Sequence, residues 1–282
     1  MIIPTPLLPL AGIDREIHAK IEYLHPSGSM KHRSLPAFIE ALIAAGEIKK
    51  GQRLAIRSAG SAAVTVAWAG ARLCAPVDAV LPHSATPQTL ALIEWLGGTC
   101  HVLKPEEATA LMQRLHADKG TYVVAQANEP RLISHYEPVG REILAVLPNV
   151  AAVTVGIGTG LSVMGVSRAL EQAGSAAKVY GVEPAEAAIA SGKPWAPHHI
   201  PGLAPPIAQP LLDKSQLAGI IALPSQRAWD VAREVAAKTG FLIGPSSGAA
   251  VAAAMQLRQE GTRGAIVAVC ASSMYEYLGT GR

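Results

Sequence analysis

A lysine stands in a short turn of small residues near the start of the chain. The segment PSGSMKHR, residues 26–33, puts Lys31 between a flexible turn and a predicted helix that begins near residue 35. In a cleft, loss of water disfavours the charged form of such an amine. A neutral amine can condense with an aldehyde. Lys31 is therefore a candidate catalytic residue, and the alternative is an ordinary surface lysine.

A glycine-rich turn in the second half of the chain could bind a phosphate group. The sequence GIGTGLS, residues 156–162, follows an apolar run and opens a predicted helix. Glycines let backbone amides converge on an anion, and the dipole at a helix N-terminus favours negative charge. The spacing lacks the third glycine of a dinucleotide fingerprint and the Gly-Lys-Ser/Thr ending of a nucleoside triphosphate loop. A phosphate site and a simple tight turn both remain open.

Two further junctions between a predicted strand and a predicted helix carry serine side chains. SAGSAAV, residues 58–64, exposes backbone amides that suit a small carboxylate. GPSSGAAVAAA, residues 244–254, puts Ser246 and Ser247 near the start of a helix. In each case the alternative is an ordinary N-cap, in which the serine satisfies amides of its own helix.

The elements that must position these residues alternate between strand and helix. The predicted strands are 53–57, 77–81, 121–124, 151–155, 178–182 and 264–270, and the predicted helices are 35–45, 61–73, 86–96, 106–117, 138–146, 161–173, 226–239 and 247–260. Such alternation is typical of parallel sheets, whose ligands bind at the carboxyl ends of the strands. Residues 191–215 contain six prolines and predict a long ordered loop.

The composition argues against several classes of protein. The chain has 282 residues, of which 50% are hydrophobic and 16% charged, and its formal net charge is +3. Because the basic residues are scattered, we expect no nucleic-acid partner and no membrane surface. No apolar run reaches the roughly 18 residues of a membrane span, and the N-terminus has three prolines and no charged leader. We expect a cytoplasmic protein, and the low charge favours a homodimer.

The three cysteines, Cys74, Cys100 and Cys270, lie far apart in the sequence. Their spacing is not that of a metal site, so we predict no metal ligands. Each lies in or beside an apolar stretch. We expect buried thiols in a reducing compartment.

Taken together and in order, these motifs resemble the fold-type II pyridoxal-phosphate enzymes, the family of cysteine synthase, cystathionine β-synthase and the tryptophan synthase β chain. Eight segments over nearly the whole chain carry the resemblance: TPLLPL (5–10), PSGSMKHR (26–33), SAGSAAV (58–64), QANEPRLISHYEPVGREI (126–143), GIGTGLS (156–162), GVEP (181–184), IPGL (200–203) and GPSSGAAVAAA (244–254). The resemblance implies an α/β fold of two parallel-sheet domains with pyridoxal 5'-phosphate between them. Residues 1–35 and 141–282 would form the larger, cofactor-binding domain, and residues 36–140 the smaller, mobile one.

The resemblance also implies a role for each matching residue. Lys31 would carry the cofactor as a Schiff base, Ser61 would contact its phenolic oxygen, and Ser246 would bond its pyridine nitrogen. The residues implied for the cofactor phosphate are Gly158, Thr159, Gly160, Leu161 and Ser162. The residues implied for the substrate, a small amino acid, are Ser58, Ala59, Gly60, Ala62 and Gln126.

Three segments depart from the family pattern. Where relatives have Ser-Gly-Asn-Thr-Gly, this chain reads Ala59-Gly60-Ser61-Ala62-Ala63, so two hydroxyl side chains near the substrate carboxylate are alanines. Leu161 and Ser162 replace Gly-Thr in the phosphate loop, and the backbone amides that bind phosphate are kept. His32 stands where many relatives have aspartate, and we interpret it as a structural neighbour of the lysine.

The predicted reaction is β-replacement on a serine-derived amino acid through an aminoacrylate intermediate, as in cysteine synthase. Lys31 would take the proton from Cα as general base. The altered substrate loop leaves the native substrate open. The alternative enzyme is a β-elimination lyase, like a cysteine desulfhydrase or a serine/threonine dehydratase. A non-catalytic partner protein that binds the cofactor is the third possibility.

Overall fold

The computed structural model describes residues 3–278, which form an α/β fold with two sheets. The strands are β1 (Leu7–Pro9), β2 (Ile17–Ile21), β3 (Arg53–Arg57), β4 (Val77–Leu81), β5 (Thr99–Val102), β6 (Thr121–Val123), β7 (Ala152–Gly156), β8 (Lys178–Pro184), β9 (Gly219–Leu223) and β10 (Ile266–Cys270). The helices are α1 (Leu35–Ala44), α2 (Ser61–Leu73), α3 (Pro87–Trp95), α4 (Pro105–Ala117), α5 (Glu137–Val146), α6 (Leu161–Gln172), α7 (Ser225–Thr239) and α8 (Pro245–Gln259). Within these residues, no helix has the length and apolar character of a membrane span.

The larger sheet has the strand order β1-β2-β10-β7-β8-β9. All of its pairings are parallel except that of β1 with β2. Side chains of the central strand β10 alternate between two helical layers. Val267 and Val269 belong to the hydrophobic cluster that includes α5 and α6, whereas Ile266 and Cys270 belong to the cluster of α7 and α8. Burial on both faces explains why this strand consists of apolar residues throughout.

The smaller sheet, in the order β5-β4-β3-β6, is entirely parallel. All four strands come from the range predicted for the smaller domain. The predicted boundary at residue 140 falls inside α5, which packs against α6. That residues 36–140 move as a unit stays a prediction.

All six predicted strands and all eight predicted helices are present, but the prediction missed β1, β2, β5 and β9. The sequence IHAKI of β2 does alternate between apolar and polar residues, as strands do, but over only five residues. Its polar residue Lys20 is nevertheless buried, because carboxylates surround it. Of the predicted loop, residues 191–215, residues 191–213 contain no helix or strand, and a 3-10 turn, Lys214–Gln216, begins at its end. The expectation of buried thiols is wrong for Cys74, which is exposed at the left-handed end of α2 (φ 53°).

A cluster of buried charges holds the lysine-bearing turn against the larger sheet. Arg33 donates to both oxygens of Glu22, at 2.5 and 2.9 Å, and to both oxygens of Glu142, at 2.7 Å each. Lys20 donates to Glu142 Oε2 and to Thr5 Oγ1, both at 2.5 Å. The side chains of Lys20, Glu22 and Arg33 are fully buried. Two cations therefore face two carboxylates, and each depends on the others for its charge balance.

The ionisation of Glu22 depends on its neighbours in this cluster. Burial by itself would raise the pKa of Glu22, but the neighbouring His25 ring and the hydrogen bonds from Arg33 outweigh it and lower the pKa from 4.5 to about 2. A carboxyl group with a depressed pKa in the folded state stabilises the protein above its unfolded pKa. The contribution of Glu22 is therefore present above about pH 4.5 and is lost as the pH falls towards 2.

We expect Glu22→Gln to lower the free energy of unfolding at pH 7 by about 3 kcal/mol, because Arg33 then stays buried with one carboxylate fewer. Urea denaturation measures the loss. The matched control is Glu234→Gln, which removes a surface ion pair with Lys238 and should cost less than about 0.5 kcal/mol. The deficit of Glu22→Gln relative to the wild type should shrink below pH 4.5. A deficit that is constant from pH 7 to pH 3 would contradict the assignment.

Candidate active site

A cavity opens at the carboxyl ends of β7 and β10, where parallel strands present ligand sites. It is lined by Ser29, Met30, Lys31, Ser61, Tyr136, Val155, Gly156, Gly158, Thr159, Ser162, Pro201, Gly202, Leu203, Ser246, Val269, Ala271, Ser272 and Tyr277. Six of the predicted site residues are among them: Lys31, Ser61, Gly158, Thr159, Ser162 and Ser246. The fold thus brings together the lysine motif, the glycine-rich turn and both serine-bearing junctions.

Lys31 lies in a single 3-10 turn, Met30–Arg33, which is anchored at the end of β10. The Ser29 hydroxyl accepts a hydrogen bond from the Lys31 backbone amide (3.1 Å), and Met30 N–H donates to Ala271 O (3.1 Å). Within residues 3–278 the Lys31 amine has no hydrogen bond or ion pair. Burial lowers the pKa of Lys31 to about 8. Near neutral pH a useful fraction of the amine is therefore unprotonated and nucleophilic.

The glycine-rich turn connects β7 to α6. Gly160 precedes the helix with φ +90°, a conformation that favours glycine. The first amides of a helix have no acceptor within that helix, so those of α6 are available to an anion. Gly158 lies close to the loop of residues 191–213. A Cβ at position 158 would come within 2.7 Å of Gly202 O, so the close approach requires glycine. Gly160 and Leu161 are not part of the cavity lining among the described residues. Leu161 packs in the hydrophobic core, which explains how a bulky residue is tolerated in this turn.

Ser246 lies in the first turn of α8, and its hydroxyl is 2.7 Å from that of Ser272. Ser247 is turned to the same segment, where its hydroxyl donates to Ser272 O (2.8 Å) and accepts from Ser272 N (3.1 Å). Ser272 was not among the residues predicted from the sequence. Its position directly after the strand at 264–270 could have identified it, since ligand sites lie at carboxyl ends of parallel strands.

Two tyrosines in the cavity wall were also missed, and no pattern in the sequence indicates them. Tyr136 accepts a hydrogen bond from Ser34 Oγ at 2.8 Å, and burial raises its pKa to about 12. Burial also raises the pKa of Tyr277 far above its usual range, and the charge of Glu276 adds to the shift. Both phenols therefore stay protonated at neutral pH.

Several residues of SAGSAAV, residues 58–64, are predicted to contact the substrate or the cofactor. Within residues 3–278, only Ser61 of this segment lines the cavity. Ser61 begins α2 and donates to Glu276 Oε2 at 2.9 Å. Ala59 is exposed, whereas Ala62 is buried in the core. Ser58 and Gly60 lie in the turn before the helix, where Gly60 N–H donates to Ser58 Oγ at 3.4 Å. Substrate binding by this loop stays a prediction.

Gln126 lies in a 3-10 turn, Gln126–Asn128, outside the lining of the cavity. Its side-chain oxygen is buried and has no hydrogen-bond partner in the described part of the chain. A buried acceptor without a donor is costly unless a ligand satisfies it. Its predicted contact with substrate remains a prediction.

The residues of the cavity fit the predicted cofactor. Lys31 offers an amine for an aldehyde, and the turn at Gly158 offers backbone amides together with the hydroxyls of Thr159 and Ser162 for a phosphate group. Ser246 offers a hydroxyl for a ring nitrogen. Within residues 3–278, no cluster of three or more histidine, cysteine or acidic side chains is arranged to hold a metal ion.

Comparisons with known proteins agree with this chemistry. A family model described as "Pyridoxal-phosphate dependent enzyme" matches residues 1–272. Cysteine synthase from Aquifex aeolicus is 31% identical over 95% of this chain and 84% of its own length. The crystal structure of O-ureido-L-serine synthase has a TM-score of 0.91 at 25% identity and covers 99% of this chain and 92% of that one. A hydrogen sulfide-producing enzyme from Fusobacterium nucleatum has a TM-score of 0.90 at 26% identity, covering 97% and 96%. The predicted fold class and cofactor are confirmed.

Replacing Gly158 by valine should weaken cofactor retention at least roughly tenfold, about 1.4 kcal/mol. A Cβ so close to Gly202 O forces the turn to shift, and with it the amides predicted to bind the phosphate. Titration of the apoprotein with pyridoxal phosphate, followed by absorbance, measures the change. Gly219→Ala is the control, since its Cβ would only touch Tyr180 at 3.5 Å. Unchanged retention in the valine variant would mean that the phosphate lies elsewhere.

Proposed function

Because the chain belongs to the family of pyridoxal-phosphate dependent enzymes, we propose that it catalyses β-replacement on a serine-derived amino acid. In this reaction a nucleophile takes the place of the substituent on the β-carbon. The observation that carries the proposal is that Lys31, the turn at Gly158 and Ser246 line the same cavity. The relatives named cysteine synthase and O-ureido-L-serine synthase support a serine-derived substrate.

Lys31 is the residue around which the mechanism is built. Pyridoxal phosphate, when bound, supplies an aldehyde that condenses with amines and a ring that withdraws electrons from the substrate α-carbon. Lys31 Nζ is the amine that holds this group, and when free it accepts the proton from the α-carbon. Its pKa of about 8 suits both tasks, because protonated and neutral forms coexist near the working pH.

The remaining residues position and tune the site. The amides of the turn at Gly158, with the hydroxyls of Thr159 and Ser162, bind the phosphate. Ser246, which Ser272 holds in place, gives the ring nitrogen a neutral partner. A neutral hydroxyl, unlike a carboxylate, would not stabilise a positive charge on that nitrogen. Such a partner would suit replacement, in which the leaving group itself carries away the electron pair.

β-Elimination is the second candidate, since elimination of the thiol of cysteine would release hydrogen sulfide and a hydrogen sulfide-producing enzyme is among the similar structures. The altered substrate loop has the same implication, because Ala59 and Ala62 bring no hydroxyl to grip a standard substrate. In elimination no nucleophile is added, and the released product hydrolyses to a keto acid and ammonia. The two reactions share the role of Lys31 and diverge only after the leaving group has departed.

We also propose that the protein is a homodimer that works in the cytoplasm. Charged residues make up only 16% of the chain, which leaves little surface to solvate. In α3 the side chains of Leu92 and Trp95 are 42% and 81% exposed. Large apolar side chains grouped on a surface are typical of a face that another protein chain covers.

Lys31→Ala should abolish both the covalent attachment of the cofactor and all turnover, because no other lysine of the described residues lines the cavity. Purified wild-type protein should be yellow, and after borohydride reduction, mass spectrometry should locate the cofactor on the peptide that contains Lys31. Lys178→Ala, on the exposed start of β8, is the matched control and should keep both properties. A reducible covalent cofactor in Lys31→Ala would mean that another lysine is responsible.

Restoring the family pattern with Ala59→Ser, Ser61→Asn and Ala62→Thr tests the substrate. A hydrogen bond to a charged group contributes roughly 1.5–3 kcal/mol, so the KM for O-acetylserine should fall about ten- to a hundredfold. Assays of thiol-containing product and of keto acid separate replacement from elimination.

If the native substrate is different, the triple variant should lose activity on that substrate while it gains activity on O-acetylserine. If the wild type simply binds its substrate weakly, the triple variant should gain affinity for the native substrate and for O-acetylserine alike. Ala59→Ser alone is the matched variant, since Ala59 is exposed whereas Ala62 is in the core. No gain with any β-substituted alanine would rule out this loop as the carboxylate site.

A further inference from the structure

Glu276 lies directly behind the wall of the active-site cavity. It ends a 3-10 turn, Met274–Glu276, near the end of the described chain. Its Oε2 accepts the hydrogen bond from Ser61 Oγ at 2.9 Å, and its Oε1 accepts one from Ser273 N–H at 3.4 Å. Ser61 lines the active-site cavity and also a second hollow, which Glu276 lines. The carboxyl group is therefore one side chain away from the space that receives the cofactor.

No cationic side chain of the described residues lines the hollow around Glu276. Its titratable members besides Glu276 are Tyr23 and Tyr275, and α3 contributes only the uncharged Gln88, Thr89 and Leu92. Burial raises the pKa of Tyr23 to about 12, with smaller effects of Cys270 and Tyr275, so this phenol is neutral at physiological pH.

The lysine motif approaches the hollow through Ser27, whose hydroxyl is 3.2 Å from His32 Nδ1. Burial, followed by the charges of His25 and others, lowers the pKa of His32 to about 4. His32 is therefore neutral above pH 5. Burial raises the pKa of Glu276 to about 7, although its bonds from Ser61 and Ser273 act in the opposite direction. Glu276 is thus the group beside this hollow that changes its charge near neutral pH.

We propose that Glu276 decides whether Ser61 donates or accepts a hydrogen bond towards the cofactor. A serine hydroxyl has a single hydrogen. When Glu276 is ionised, that hydrogen points to Oε2, and Ser61 Oγ offers only lone pairs to the cavity. When Glu276 is protonated, the carboxylic acid donates to Ser61 Oγ, and the serine hydrogen is free to turn into the cavity. Glu276 is therefore a positioning residue that acts through Ser61.

The inference rests on the proposed function, because Ser61 meets a cofactor only if the cavity binds one. A hydrogen bond donated to a conjugated ring system shifts its electron distribution and hence its visible absorption. Proton uptake by Glu276 should consequently be visible in the spectrum of the bound cofactor. Loss of the proton removes the donor and should reverse the change.

The test is a pH titration of the visible spectrum of the holoenzyme from pH 5.5 to 9, without substrate. We expect a spectral transition with its midpoint near pH 7 in the wild type. Glu276→Gln should lose the transition because the side chain no longer titrates. Ser61→Ala should lose it as well, although Glu276 is intact, because the hydroxyl that relays the protonation state of Glu276 to the cofactor is missing. Glu260→Gln, on the exposed end of α8, should keep it.

A transition that persists in Glu276→Gln would overturn the proposal, and so would a wild-type spectrum that is constant between pH 6 and 8. A transition lost in Glu276→Gln but kept in Ser61→Ala would also overturn it, since the charge would then act without Ser61. Cofactor content and thermal unfolding of each variant identify a folding defect, and the two variants alter different elements. Wild-type protein that catalyses β-replacement without the transition contradicts the relay alone. The transition without β-replacement contradicts the proposed function alone.

Discussion

Arg33, which is fully buried, is bonded to both oxygens of the buried Glu22 and to both oxygens of the partly buried Glu142. The three residues come from the segment after β2, the lysine-bearing turn and α5, so the cluster joins parts of the chain that are distant in sequence. Such a cluster adds little stability over an apolar core of the same shape. It does impose one arrangement, because any displaced partner leaves an unpaired charge in the interior. The position of Lys31, two residues before Arg33, depends on it.

Burial has opposite consequences at the neighbouring ionisable groups. Around Arg33 and Glu22 the charges are balanced, so both groups stay ionised despite the loss of water. Lys31 has no such partner among residues 3–278, and burial lowers its pKa to about 8. Glu276 receives hydrogen bonds but no cation from the described chain, and its pKa rises to about 7. The cavity thus has two groups that change protonation near neutral pH, one in its lining and one behind it.

The departures from the family pattern differ in their structural consequences. Leu161 directs its bulk into the hydrophobic core, so the glycine-rich turn keeps its backbone shape. Ala62 is likewise buried, whereas Ser61 is in the cavity wall and bonded to Glu276. A change in the substrate loop therefore alters the polar partners in the site more than the fold that supports them.

The sequence by itself determined the family and the cofactor through the resemblance of eight ordered segments. It also determined most of the alternating elements, because periodic apolar residues are a local pattern. It also identified Lys31, Ser61, Gly158 and Ser246, which the fold assembles around one cavity. Only the tertiary structure decided the contacts of Tyr136, Ser272 and Glu276, and the pairing of β2 with β10. These depend on distant segments meeting in space, so no local pattern records them. The shifted pKa values of Lys31 and Glu276 also depend on the tertiary structure, because only the packing of distant segments removes water from these groups.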